Sequence, residues 1–253
     1  MSSLHFLGNN TSYISIPDAA DLNFETQDFT VEWFQYQTDT NSFPRIFQKG
    51  TYTASTVSIG VSIEGGRFYY WRNNTPNLVT TLTSASYKNK WVHFAICRTS
   101  GTTTIYMNGV SIFSISDTYN YTNTENLLIS NESSLTSIAS FGGYMYYFHY
   151  IKGVAKYTAN FTVSTSMVSA LPETVLLLTA GGASGTLGNT ITSTVGTFAI
   201  APTPAAAPSW FLPVMFGSRA LFTDNSRFYY KPNSLASGGV GGVRNYRKKG
   251  HRT

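Results

Sequence analysis

Over much of this chain, hydrophobic and polar positions alternate with the two-residue period of a half-buried strand. Ser12-Tyr13-Ile14-Ser15-Ile16 alternates, and Phe29-Thr30-Val31-Glu32-Trp33-Phe34 sets Phe29, Val31 and Trp33 on one face. Val57 to Ile63 does the same, turns at Glu64-Gly65-Gly66, and returns as Arg67-Phe68-Tyr69-Tyr70-Trp71. Trp91 to Ile96 runs through Thr99-Ser100-Gly101 into Thr103 to Met107. Asn108-Gly109 then predicts a tight hairpin, because both residues tolerate positive φ, and Val110 to Phe113 follows. Asn126 to Ile129, Gly143 to Ile151 and Glu173 to Leu178 add further strands, and no long window carries a helical period. The expected fold is all-β, a two-sheet antiparallel sandwich.

After Thr165 the pattern loosens. The organisation read from it is a sandwich over residues 1–180, a Gly then Pro/Ala-rich linker over 181–210, and an extended arm over 211–253. The apolar stretch Val195 to Phe216 is broken by Pro202, Pro204, Pro208 and Pro213, so it is not expected to span a membrane. Met1-Ser2-Ser3-Leu4 leads straight into a strand, without the basic and apolar regions of a leader.

Composition sharpens this picture. Charged residues make up 11% of the 253, against about 25% in ordinary soluble domains, so Ser, Thr, Asn and Tyr must cover the surface. The charge is also polarised. Met1 to Phe216 holds 9 basic and 11 acidic residues, whereas Gly217 to Thr253 holds 8 basic and 1 acidic. The basic character belongs to the last stretch. Cys97 is alone, within the apolar run His93 to Cys97, and reads as a buried, inert thiol.

The ordered blocks along the chain resemble those of the LamG-like jelly-roll family, within the laminin G/concanavalin A-like lectin/glucanase superfamily. They are Tyr13 to Asp18, Leu22-Asn23-Phe24, Asp28 to Trp33, Ile46 to Gly50, Lys90 to Ala95, Ile105 to Gly109 and Gly153 to Thr162. The resemblance implies two antiparallel sheets packed face to face, as in glycan- or protein-binding modules, some of which use calcium. It also implies kinship with glycoside hydrolases. One departure stands out. After Gly143-Tyr144, where the family pattern leads to an acidic pair, this chain carries Tyr146 and Tyr147. The family's calcium site therefore does not transfer to this chain; no cofactor is expected, calcium remaining an option that the sequence does not support.

Hydrolysis of a glycosidic bond needs two converging carboxylates. No two acids stand at i and i+2 anywhere, and Glu32 is alone in its strand, so no catalytic residue is expected. His5, His93, His149 and His251 are scattered, and each reads as a structural histidine rather than a metal ligand. Tyr69, Tyr70, Trp71, Arg72 and Asn73, at a hairpin end, have the composition of a glycan or partner contact, as do Tyr146 and Tyr147. The competing reading is cross-strand packing and subunit contact. In the arm, Phe228, Tyr229 and Tyr230 are apolar anchors, followed by Arg244, Tyr246, Arg247, Lys248, Lys249 and Arg252. Few aromatics interleave these cations, which favours docking on protein over nucleic acid. The ending Gly241 to Lys249 is similar to tails of virion proteins from large icosahedral DNA viruses.

The function expected from these features is that of a non-catalytic structural virion protein, a minor capsid component anchored by its basic arm. Its expected partners are other capsid proteins, including the major capsid protein, and host surface glycans. The alternative is a lectin-like, carbohydrate-binding adhesion module, extracellular or part of a phage tail or fibre.

Overall fold

The computed structural model describes residues 2–38, 41–52, 54–134, 136–164, 168–179, 182–184 and 199–202. Most of the sequence-read linker, and the whole arm with its residues Phe228 to Arg252, lie outside the described residues.

Two antiparallel sheets form the body. The six-stranded sheet has the order β2 (Ile14–Ile16), β11 (Leu127–Ile129), β4 (Arg45–Lys49), β5 (Ile59–Glu64), β6 (Arg67–Arg72) and β7 (Thr75–Val79). In the nine-stranded sheet, β10 (Val110–Ser116), β9 (Thr102–Met107), β8 (Trp91–Thr99), β3 (Phe29–Gln37) and β12 (Gly142–Lys152) follow one another. The far edge of β12 is shared. β1 (Ser2–Leu7) pairs with its first residues and β13 (Thr174–Thr179) with its last. β15 (Ala199–Pro202) then adds to β1, and β14 (Gly182–Ser184) to β13. Both of these short strands fall in the stretch the sequence reads as linker, so the sheet draws on residues beyond 180.

Alternation explains the core. Phe29, Val31 and Trp33 of β3, Val92, Phe94 and Ile96 of β8, and Phe148 and Tyr150 of β12 point inward. They meet Phe47, Ile59, Val61, Ile63, Phe68 and Tyr70 from the six-stranded sheet in one apolar cluster. Rings stack through it, with Phe94 between Trp33 at 5.4 Å and Phe68 at 4.9 Å. Each such ring removes a large apolar area from water, worth about 1.5–3 kcal/mol per buried side chain.

The nine-stranded sheet is also covered on its outer face. Thr30, Glu32 and Phe34 project there from β3, and His93, Ala95 and Cys97 from β8. The segment from Gly153 to Phe161 lies across them as a strap. Its Tyr157 and Phe161 rings stack at 3.5 Å and pack with Ala95, Cys97 and Tyr106. Backbone bonds fasten it at both ends, Gly153 N–H to the Asp28 carbonyl and Phe161 N–H to that of Gly109.

The exposed edge of β10 carries no charge or proline, the usual protections against strand pairing. Side chains blunt it instead. Asn160 accepts from Ser111 N–H at 2.8 Å, while Thr81 and Arg72 donate to the Ile112 and Ser116 carbonyls. A bulge between Ser111 and Phe113 completes the disruption.

Candidate functional site

Three polar clusters are built on these sheets, and their accessibility separates them. The first is centred on Glu32, fully buried beneath the strap. His149 lies directly opposite it on β12, and its Nδ1 stands 3.0 Å from Glu32 Oε1. Lys156 and Tyr157 descend from the strap, with Nζ 2.5 Å from Oε1 and the phenol donating to Oε2 at 2.8 Å. His93 Nε2 is 3.4 Å from Oε2, longer than an ordinary hydrogen bond. Beyond, His149 Nε2 meets the Thr174 hydroxyl at 2.7 Å. Burial alone would push the Glu32 carboxyl up. The hydrogen bond from His149, the nearby His93 ring and the Lys156 charge outweigh it, holding the carboxyl well below the usual carboxylate range. The cluster is sealed and its carboxylate oxygens are occupied, so what it does is clamp the strap to the sheet.

The second cluster surrounds Asp117, also fully buried. Its Oδ2 accepts from the Thr103 hydroxyl and the Tyr121 phenol, both at 2.5 Å, and Arg72 approaches Oδ1 at 3.1 Å. Tyr70 is tied in through the Tyr121 phenol at 2.7 Å. Burial raises the Tyr70 and Tyr121 phenols well above the ordinary tyrosine value. This cluster holds the two sheets together at one end.

The third lies on the outer face of the six-stranded sheet and is partly open. Arg45, at the start of β4, places its guanidinium 5.0 Å from the Trp71 ring centroid and 5.7 Å from that of Tyr52. The Tyr52 and Trp71 rings meet edge to face at 5.6 Å, and Tyr52 is 49% exposed. Arg45 pairs with Glu64 at 2.9 Å and stands 3.6 Å from Glu132. The Trp71 indole donates to the Ser62 hydroxyl, which in turn donates to Glu64. Tyr69 shares this outer face, two residues before Trp71 on β6.

The five residues Tyr69 to Asn73 are thus not brought onto one face. Tyr69 and Trp71 face outward and Tyr70 lies in the core. Arg72 turns to Asp117, and Asn73 sits in the turn after β6 with φ 48°. Consecutive strand residues alternate, so no single platform could hold them all. Tyr147 is buried beside Phe34, Trp91 and Leu177 with Val163 and Val168 packed against them, and Tyr146 is half-buried at the β12 bulge. The Arg45–Glu64–Glu132 cluster was missed because its members come from three separate segments. The short-range signal for it was the alternation Ser62-x-Glu64, which puts a hydroxyl and a carboxylate on one face.

Residues 7–155 match the laminin G-type family described as the concanavalin A-like lectin/glucanases superfamily. The chain belongs to this superfamily. No curated protein matches it in sequence. Among solved structures, it is similar to a Bacteroides ovatus protein assigned to carbohydrate binding. The TM-score is 0.55 at 16% identity, covering 79% of this chain and 55% of that one, so the chain spans about half that protein's length. It is also similar to a heptameric pentraxin from Limulus polyphemus, at a TM-score of 0.45 and 12% identity over 76% and 93% of the two chains. Domains LG4-5 of the mouse laminin alpha1 chain give a TM-score of 0.45 at 12% identity, over 63% and 45%. The C-terminal likeness to virion tails lies outside both the matched and the described residues.

For this concanavalin A-like chain, Cys97 follows its sequence reading. It is buried, and burial pushes its thiol up to about 11. Under native conditions at pH 8, an alkylating reagent is expected to leave Cys97 unmodified, with full labelling after denaturation. Mass-spectrometric detection of rapid native labelling would contradict the sealed geometry. No group of three or more His, Cys, Asp or Glu suited to a metal ion occurs among the described residues.

Proposed function

We propose that this protein is a non-catalytic carbohydrate-binding module that contacts its ligand on the outer face of the six-stranded sheet. The observation that carries this reading is the partly open cluster of Tyr52, Trp71, Arg45 and Glu64. An exposed aromatic ring stands beside charged groups already fixed in place by hydrogen bonds. Sugar recognition needs that combination, since a ring packs against C–H faces while fixed polar groups read hydroxyls. The likeness of the fold to a protein assigned to carbohydrate binding supports the same reading.

Two features support a non-catalytic role. Glu32, beneath the strap, is closed to any substrate. On the outer face, the Arg45 guanidinium stands between Glu64 and Glu132 and pairs with both. These carboxylates face a cation rather than a glycosidic bond. The virion reading draws support from neither the fold nor the comparisons, and rests on sequence features alone, chiefly the basic charge of residues 217–253 and the likeness of Gly241 to Lys249 to virion tails.

A glycan array probed with the whole chain, once in calcium and once in chelator, tests the reading. Binding is expected in both conditions, weakened roughly tenfold by Tyr52→Ala with no change in melting temperature. Blank arrays under both conditions would end the proposal, and release of shortened oligosaccharides from a bound polysaccharide would end its non-catalytic part.

A further inference from the structure

We infer that the outer face of the six-stranded sheet selects neutral sugars over acidic ones, and that Glu64 is the residue that sets this preference. The inference rests on the carbohydrate-binding reading above and adds the class of ligand.

It follows from how the Glu64 carboxylate is held. Its Oε1 accepts two hydrogen bonds, from Arg45 Nη1 at 2.9 Å and from the Ser62 hydroxyl at 2.8 Å. Ser62 is itself oriented by the Trp71 indole N–H at 2.7 Å. These three contacts hold Oε1 in place. The side chain keeps 25% of its surface in solvent, and Oε2 has no partner among the described residues. That oxygen is not sealed from solvent and stays open to water.

An ionised carboxylate only accepts hydrogen bonds. The open oxygen of Glu64 therefore suits a hydroxyl or amide N–H donor and repels a uronate or sialate carboxylate. The nearby cation does not reverse this sign. Arg45 is 6% exposed at its side chain, faces two carboxylates, and lays its guanidinium over Trp71 and Tyr52. Its charge is already engaged. Arg67, directly across from Glu64 on β6, is an exposed cation at this edge. Tyr52, 49% exposed, supplies the ring beside the acceptor. The occupant that fits is a neutral pyranose stacked near Tyr52 with one hydroxyl donating to Glu64.

The experiment is titration of the whole chain with two panels. One holds neutral gluco-, manno- and xylo-oligosaccharides, and the other sialyllactose and oligogalacturonates. Binding is expected within the neutral panel. Glu64→Gln, which exchanges the open acceptor for a donor, should weaken it roughly ten- to hundredfold at unchanged melting temperature. Arg67→Ala should change it little. Preferential binding of the acidic panel, or undiminished neutral binding by a folded Glu64→Gln protein, overturns the inference while leaving carbohydrate binding intact. Acidic binding that disappears in Arg67→Ala would move selectivity to Arg67 and overturn it equally. Failure of both panels removes the underlying reading instead. Should Glu64→Gln disturb folding, Glu64→Asp keeps the charge and must still discriminate against the acidic panel.

Discussion

Replacing Glu32 by alanine is expected to destabilise the sandwich by about 3–5 kcal/mol, the usual cost of removing one partner from a buried ionic cluster. Lys156 could swing towards water, since its side chain is 29% exposed, but His149 and His93 could not. The Tyr157 phenol would also lose its acceptor. Urea denaturation of the wild-type and Glu32→Ala proteins measures the difference. A loss below about 1 kcal/mol would show that the network contributes no more than a surface ion pair. The same group shapes the acid response. Its carboxyl is held below the ordinary range when folded, so its contribution is present above the unfolded value of about 4.3. That contribution is lost as pH falls through the lower, folded value. Wild-type melting temperature should therefore drop more steeply below about pH 4 than that of Glu32→Gln.

Gly109→Ala is expected to cost about 2–4 kcal/mol, combining the left-handed backbone penalty with displacement of packed atoms. Gly109 has φ +82°, and a methyl group there would collide with the Phe161 carbonyl. The collision pushes at the point where Phe161 N–H bonds the Gly109 carbonyl, so the strap should loosen from its far end. Gly65 is the control. It also has positive φ, +55°, but nothing lies within 4 Å of its added Cβ, and Gly65→Ala should cost only about 1 kcal/mol. Thermal melts compare the pair, and limited proteolysis between Gly153 and Phe161 should rise in Gly109→Ala alone. Equal losses in both variants would show that backbone strain, rather than contact with the strap, decides the cost.

Much of the fold was legible because alternation is a local property. Phe29, Val31 and Trp33 announce a buried face within five residues, and Asn108-Gly109 announces its hairpin within two. β7 was hidden by Pro76, which is tolerated because the strand lies at the sheet edge. The site was legible in part. The run Tyr69 to Asn73 looked like one platform when read along the chain, although a strand sends alternate members to opposite sides. Glu32 looked solitary because its partners Lys156 and Tyr157 lie 124 and 125 residues away. Convergence of that kind has no short-range signature. Arg45, Glu64 and Glu132 were missed for the same reason, since sheet pairing and a loop bring them together.

The placement of β1 bears on how the chain reaches its native state. Its backbone partners are residues 142–145 of β12 and 199–202 of β15. During synthesis, Ser2 to Leu7 leave the ribosome long before residues 142–145 and 199–202, and have no strand to join until those have emerged. Leu4 and Phe6, later among the most enclosed side chains, must wait in the open. Closing such distant segments is entropically slow, and a half-made chain offers this apolar ribbon to any neighbour. Translation products stalled before β12 should therefore aggregate through the β1 ribbon.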